Sequence, residues 1–173
     1  MTKPNFPLGG GPAPSGVQGQ PVVVSHETFT YVEKSVSFDA AHRLLHHGGK
    51  CRHLHGHRYE VTLGVTGPIS PQTGILADFA LLKSFLEAYV VQRMDHSTLI
   101  DEADTLLAEA VQRLAPEEGS RLFLLPGETT AENLAKWILL KALFYQPFVD
   151  AGIKPRGVTV CETPTSKAIA RSK

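Results

Sequence analysis

The chain has 173 residues, 42% of them hydrophobic and 20% charged, an ordinary composition for a globular protein with room for a core. Seventeen basic and seventeen acidic side chains cancel to a formal net charge of zero, so no global field favours nucleic acid or an anionic membrane, and an anion has to be held locally. Cys51 and Cys161 do not form the pattern of a secreted disulfide framework and no N-terminal apolar run reads as a signal peptide or span, so the expected setting is the cytoplasm.

Residues 1–26 interleave Gly9, Gly10, Gly11, Gly16 and Gly19 with Pro4, Pro7, Pro12, Pro14 and Pro21, which leaves too little apolar surface to offset ordering. A flexible tail is expected there, followed by a single domain over 27–173. From about Glu27 to Ala41 apolar alternation predicts a long strand, with Val32, Val36, Phe38, Ala40 and His42 on one face. A second strand is expected over 55–66, where His55 and His57 share a face with Tyr59, Val61, Leu63 and Val65.

Pairing these strands antiparallel through the loop 43–54 brings His42 beside His55 and His57. Three neutral imidazoles with an open fourth position are the pattern of a catalytic metal site. Cys51, four residues before His55, is either a fourth ligand or a reactive thiol. Between Ala40 and Tyr59 there is no carboxylate, but Arg43, Lys50, Arg52 and Arg58 all occur, a cationic zone suited to a phosphorylated substrate or simply a basic surface.

Gly67-Pro68 and Ser70-Pro71 break the chain. Asp78 is placed to cap a helix whose apolar stripe is Leu81, Leu82, Phe85, Leu86 and Tyr89. Asp95-His96 follows in a polar connection. A second helix is expected over 104–114 with Leu106, Leu107, Ala110, Val111 and Leu114 on one face, then a short strand over 121–125. Thr129 and Glu132 stand at capping-box spacing ahead of a mostly buried helix carrying Leu134, Trp137, Ile138, Leu140 and Phe144.

A strand from Gly157 gives Glu162 the parity of Val158 and Val160, so its carboxylate faces the buried side and needs a partner, either a ligand N–H or an arginine. Cys161 faces the other way. A last strand is expected around 168–171. The order strand, strand, helices, strand, strand predicts an α+β fold in which an antiparallel sheet is backed by helices on one face.

Phe38-Asp39-Ala40-Ala41-His42-Arg43-Leu44 and Cys51-x-x-x-His55-Gly56-His57-x-Tyr59 resemble the pterin-forming synthases, the 6-pyruvoyltetrahydropterin and 6-carboxytetrahydropterin synthases. So do Asp95-His96-x-x-Leu99 and Thr130-Ala131-Glu132-Asn133, and the likeness runs from about residue 30 to 166. The short Cys51-to-His55 spacing is that of the bacterial carboxy-forming branch. The resemblance implies a tunnelling fold, zinc (Zn2+) held by His42, His55 and His57, and a pterin triphosphate substrate, 7,8-dihydroneopterin triphosphate. It further implies acid/base roles for Cys51, Asp95 and His96, a pterin anchor in Glu162, Thr129 and Thr130 lining the pocket, and a homohexamer.

The implied reaction releases triphosphate and acetaldehyde to give 6-carboxytetrahydropterin, toward 7-deazaguanine and queuosine. The alternatives are the pyruvoyl-forming reaction on the same substrate and a non-catalytic pterin- or metal-binding module. Three features depart from the family pattern: Met94 in place of leucine, the long connection over 97–128, and the lack of a tyrosine near the end.

Overall fold

The computed structural model describes residues 30–114 and 119–173; the expected tail over 1–26 lies outside them. Strand β1 (Val32–His42) pairs antiparallel with β2 (His55–Thr66) along its whole length, from Val32 opposite Val65 to His42 opposite His55. A helical run follows: α1 (Phe79–Leu86), a π turn over Glu87–Val91, and α2 (Gln92–Met94). The Asp78 carboxylate accepts the Ala80 N–H at 2.8 Å and caps this run as expected.

Next come β3 (Ser97–Asp101), α3 (Thr105–Leu114) and β4 (Leu122–Leu125). Then α4 (Ala131–Leu143), α5 (Gln146–Asp150), β5 (Lys154–Thr163) and β6 (Ser166–Arg171) complete the domain.

The six strands form one sheet in the order β4-β3-β1-β2-β5-β6. The fold is α+β, but the expected all-antiparallel sheet is corrected to a mixed one. Strand β3 runs parallel to β1, with Ala40 opposite Ser97 and His42 opposite Leu99, and β4 runs parallel to β3. The run Ser97–Asp101 is nearly all buried and so shows no alternation; a strand covered on both faces carries no period-two signal.

On one sheet face Phe38, Tyr59, Val61, Leu63, Val158 and Val160 meet Leu82, Phe85 and Leu86 of α1 and Leu134, Ile138 and Leu139 of α4 in one core. The other face carries Glu33, Ser35, Ser37, Asp39 and Arg58 exposed. There Tyr31 lies so close over Gly64 that a Cβ at this position would overlap its ring.

Helix α3 touches the sheet through a narrow stripe only: Leu107 and Val111 pack with Ile100 in a small second cluster, while Leu106 and Leu114 are exposed. On α4 the inward residues are Leu134, Ala135, Ile138, Leu139 and Ala142, and the expected burial of Leu140 and Phe144 is corrected, both being exposed. The cap of α4 is Thr130, whose side chain accepts the Asn133 N–H at 3.3 Å, not Thr129. No helix among the described residues is long and apolar enough to cross a membrane.

Candidate active site

The β1–β2 register places His42 opposite His55 and Ala40 opposite His57, so three imidazoles leave the end of the hairpin toward the helix side. Their ring centroids are 4.6 Å (His42 to His55), 5.2 Å (His42 to His57) and 4.9 Å (His55 to His57) apart. One ligand atom from each lies within 4.8 Å of the others. Gly56 permits the approach of the strands, because a Cβ there would come within 3.2 Å of the Ala40 carbonyl oxygen.

Two backbone carbonyls orient the rings. The Nδ1 of His42 lies 3.1 Å from the Thr129 carbonyl oxygen, and that of His55 lies 2.7 Å from the His53 carbonyl oxygen. A carbonyl only accepts, so both Nδ1 atoms carry the proton and both Nε2 lone pairs are left for the cluster. The Nε2 of His42 is buried and has no hydrogen-bond partner. Burial first, and then the neighbouring His55 and His57, depress the His42 pKa to about 4 against the opposing hydrogen bond that the ring donates to the Thr129 carbonyl.

An unpartnered, buried, neutral imidazole with two others converging on it is costly unless an ion takes the lone pairs, and the set fits a borderline metal held by nitrogen.

Cys51 is not a member of the converging set. It is half-buried on a single 3-10 turn, Lys50–Arg52, and the loop closes on itself where Leu44 N–H donates to the Cys51 carbonyl at 2.8 Å. Of the cations expected around it, Arg43 is paired with Asp104 and Arg58 with Asp39, while Lys50 and Arg52 are its neighbours on the turn.

Glu162 faces the cluster, as its parity requires, with Oε1 3.4 Å from His42 Nε2 and 4.0 Å from His57 Nε2. It stands between two concavities. One, of about 530 Å³, is lined by His57, Arg58, Glu60, Glu162 and Thr163; the other, of about 300 Å³, by Leu44, Thr130, Glu132, Glu162 and Lys167. Beneath it the Tyr59 hydroxyl is buried without a hydrogen-bond partner, and burial followed by the Glu162 charge raises its pKa.

Thr130 thus lines the smaller concavity, but Thr129 is fully buried. Its hydroxyl donates to the Arg43 carbonyl at 3.2 Å and lies 3.3 Å from His42 Nδ1. Glu132, freed from the capping role expected of it, lines the same concavity as Glu162 and Lys167.

Asp95 and His96 are paired at 2.9 Å. The Asp39 N–H, donating at 3.0 Å, is the largest influence holding the Asp95 carboxyl below its usual range; burial opposes it and the His96 ring adds to it. His96 occupies the left-handed region at φ 56°, its N–H bonded to the Asp39 carbonyl at 2.7 Å. With Asp39, His57, Arg58 and Thr98 it lines a concavity of about 550 Å³. Among the described residues one chain therefore brings His42, His55, His57 and Glu162 together, and Asp95 and His96, paired beside Asp39, are not members of that set.

Sequence reasoning missed Asp104, Glu128 and the Thr129 carbonyl. Asp104 carries a readable signal as the cap of α3, where it accepts the Leu107 N–H at 3.2 Å, but its partner Arg43 lies 61 residues away. A backbone carbonyl carries no residue-type signal at all.

The family model described as 6-pyruvoyl tetrahydropterin synthase matches residues 31–173. The 6-carboxy-5,6,7,8-tetrahydropterin synthase of Haemophilus influenzae is 33% identical over 141 residues, covering 78% of this chain and 94% of its own length. That of Rickettsia bellii is 30% identical over 131 residues, covering 76% and 92%. The structure of Caenorhabditis elegans 6-pyruvoyl tetrahydropterin synthase superposes with a TM-score of 0.57 at 25% identity, over 84% of this chain and 97% of that one. With the family model spanning the whole sheet, from β1 to the end of β6, the chain belongs to the 6-pyruvoyl tetrahydropterin synthase family.

Proposed function

We propose that this chain is a zinc-dependent lyase that converts 7,8-dihydroneopterin triphosphate to 6-carboxy-5,6,7,8-tetrahydropterin with release of triphosphate and acetaldehyde. The observation that carries the reading is the unpartnered Nε2 of His42, converging with His55 and His57 and facing Glu162 across 3.4 Å. His42, His55 and His57 would hold the zinc. Bound there, it supplies Lewis-acid stabilisation to oxygens of the substrate side chain.

The chain's own groups do the rest. Glu162 accepts two hydrogen bonds from the ring N–H and amino group of the pterin, with Thr130 and Glu132 in the adjoining wall. Thr129, expected at the substrate, acts instead through His42. Cys51, between Lys50 and Arg52, takes and returns protons at the carbon joining side chain and ring. His96, oriented by Asp95, is the second acid/base.

Because Asp95 and His96 are not members of the set formed by the imidazoles and Glu162, the complete site is proposed to draw them from a second copy, in a homo-oligomer with sites between subunits, proposed here as a hexamer. Its setting is the cytoplasm.

The test is incubation of the zinc-loaded protein with dihydroneopterin triphosphate and mass-spectrometric identification of the products. 6-Carboxytetrahydropterin with acetaldehyde is expected. A pyruvoyl product would move the chain to the other branch, and binding without turnover would make it a pterin-binding module.

A further inference from the structure

The β3–α3–β4 connection, without a role in the reaction above, sends two carboxylates to the segment that follows His42. Asp104 accepts Arg43 in a two-pronged pair, Nε to Oδ2 at 2.6 Å and the terminal nitrogen to Oδ1 at 2.6 Å. Glu128, just past β4, accepts the N–H groups of Leu45 at 2.8 Å and His46 at 2.7 Å, and the His46 ring Nδ1 at 2.8 Å. The Glu128 carbonyl in turn accepts the Asn133 side chain at 2.9 Å, which ties this anchor to the first turn of α4.

Between Ala40 and Tyr59 the chain has no carboxylate of its own; the Leu44, His47, Arg52 and His53 amides donate to carbonyls of the same loop, and those of Leu45 and His46 donate to Glu128. Burial alone would raise the Glu128 carboxyl, but these three donors more than offset it and hold it below its usual range. His46, Asp101 and Glu128 also bring ligand-type atoms within 4.8 Å of one another. Since the Glu128 oxygens already accept three N–H groups, this cluster is accounted for as an anchor without an ion.

We propose that Glu128 and Asp104 are positioning residues, which hold the Leu44–Cys51 loop against the β3–α3–β4 unit and thereby fix the Cys51 thiol relative to the histidine cluster. Displacement of a reacting group by about 1 Å is enough to lower a rate on the order of 100-fold. A loop fixed at Arg43, Leu45 and His46 and closed at Leu44–Cys51 leaves the thiol little freedom to wander. The kinetic part rests on the acid/base reading of Cys51; the structural part does not.

The experiment compares Glu128→Gln and Glu128→Ala with the unaltered full chain, loaded with zinc. Four quantities are read: zinc content, kcat and KM, the rate of Cys51 alkylation by iodoacetamide followed on its own peptide, and hydrogen exchange at Leu45 and His46. Zinc content should be unchanged, because the β1–β2 register sets the ligands. The expected result is a kcat lower by roughly 10- to 100-fold with KM little altered, a changed alkylation rate and faster exchange at both amides. Glu128→Asp, which keeps a carboxylate, should recover part of kcat.

A purely structural role would lower the melting temperature and leave kcat of the folded protein and thiol reactivity as they were, and either one unchanged overturns the proposal. If Glu128→Ala does not fold, the near-isosteric Glu128→Gln decides by the same readouts. If the unaltered chain does not turn over dihydroneopterin triphosphate, the proposed reaction fails, and thiol alkylation with amide exchange alone judge the positioning.

Discussion

The Nδ1 of His42 is fixed by the carbonyl oxygen of Thr129, 3.1 Å away and 87 residues later in the chain, so the tautomer of a strand histidine is set by the residue just before a helix cap. Because the backbone makes this bond, Thr129→Val should keep the tautomer and the metal. It removes the hydroxyl that donates to the Arg43 carbonyl, and the expected cost is about 1–3 kcal/mol of stability from an acceptor left without its donor. Denaturant titration and metal analysis check both halves. Loss of metal with stability intact would show that the hydroxyl, not the carbonyl, orients the ring.

Removing His42 itself should abolish tight zinc binding, whereas removing His53 should not, since His53 contributes its carbonyl to His55 and not its ring to the cluster. Metal content of His42→Ala and His53→Ala after dialysis against a weak chelator separates the two. Retained zinc in His42→Ala with loss in His53→Ala would overturn the ligand set.

Much of this site is legible in the sequence for a simple reason: period-two parity is local. His42, His55, His57 and Glu162 all lie on strands with an apolar row on the same face, and the structure places all four toward that face. What was not legible is long-range or backbone-borne. Strand β3 shows no alternation because both its faces are covered, and Leu106 and Leu114 are exposed although the spacing predicts them on the apolar helix face, because helical spacing cannot say how wide a stripe a small sheet edge will bury. The place of His96 beside Asp39 follows from the parallel pairing of β3 with β1 and a left-handed backbone, neither of which residue types announce.

Glu162→Gln should weaken binding of a phosphate-free dihydropterin by about 1–3 kcal/mol, because one acceptor becomes a donor facing a ring N–H. Zinc content should stay as it is. Titration calorimetry with dihydroneopterin measures this, and unchanged affinity would remove Glu162 from the pterin site.

Cys51→Ala should keep zinc and substrate binding and lose turnover by roughly 10²- to 10⁴-fold, the range of a positioned acid/base. Cys51→Ser should be nearly as impaired, since a hydroxyl is a far weaker acid than a thiol. Zinc lost along with activity would make Cys51 a fourth ligand, against its absence from the converging set.

The Arg43–Asp104 pair carries a pH signature of its own. Its hydrogen bond to Arg43 is the largest influence on the Asp104 carboxyl and holds it below the usual carboxylate range, with burial opposing and the Leu107 N–H adding. A carboxyl whose folded pKa is depressed binds more protons unfolded than folded, so the stability it contributes is fully present above the unfolded value of about 4 and is lost as pH falls through the lower folded value. Asp104→Asn is an uncharged near-isostere that forgoes the charge-assisted pair, and at neutral pH it should be less stable by about 2–3 kcal/mol. As pH falls below ~4 toward the lower folded value, the folded chain takes up the proton at Asp104 and comes to resemble the variant, so the gap should narrow toward zero. The shifted carboxyls Asp95 and Glu128 are present in both proteins and cancel in the difference. Denaturant unfolding of both proteins, metal-free, across the acid range measures the gap directly. A gap that stays constant from neutral pH to well below 4 would mean that Asp104 contributes through the α3 cap and packing alone, with no net gain from the charge of Arg43.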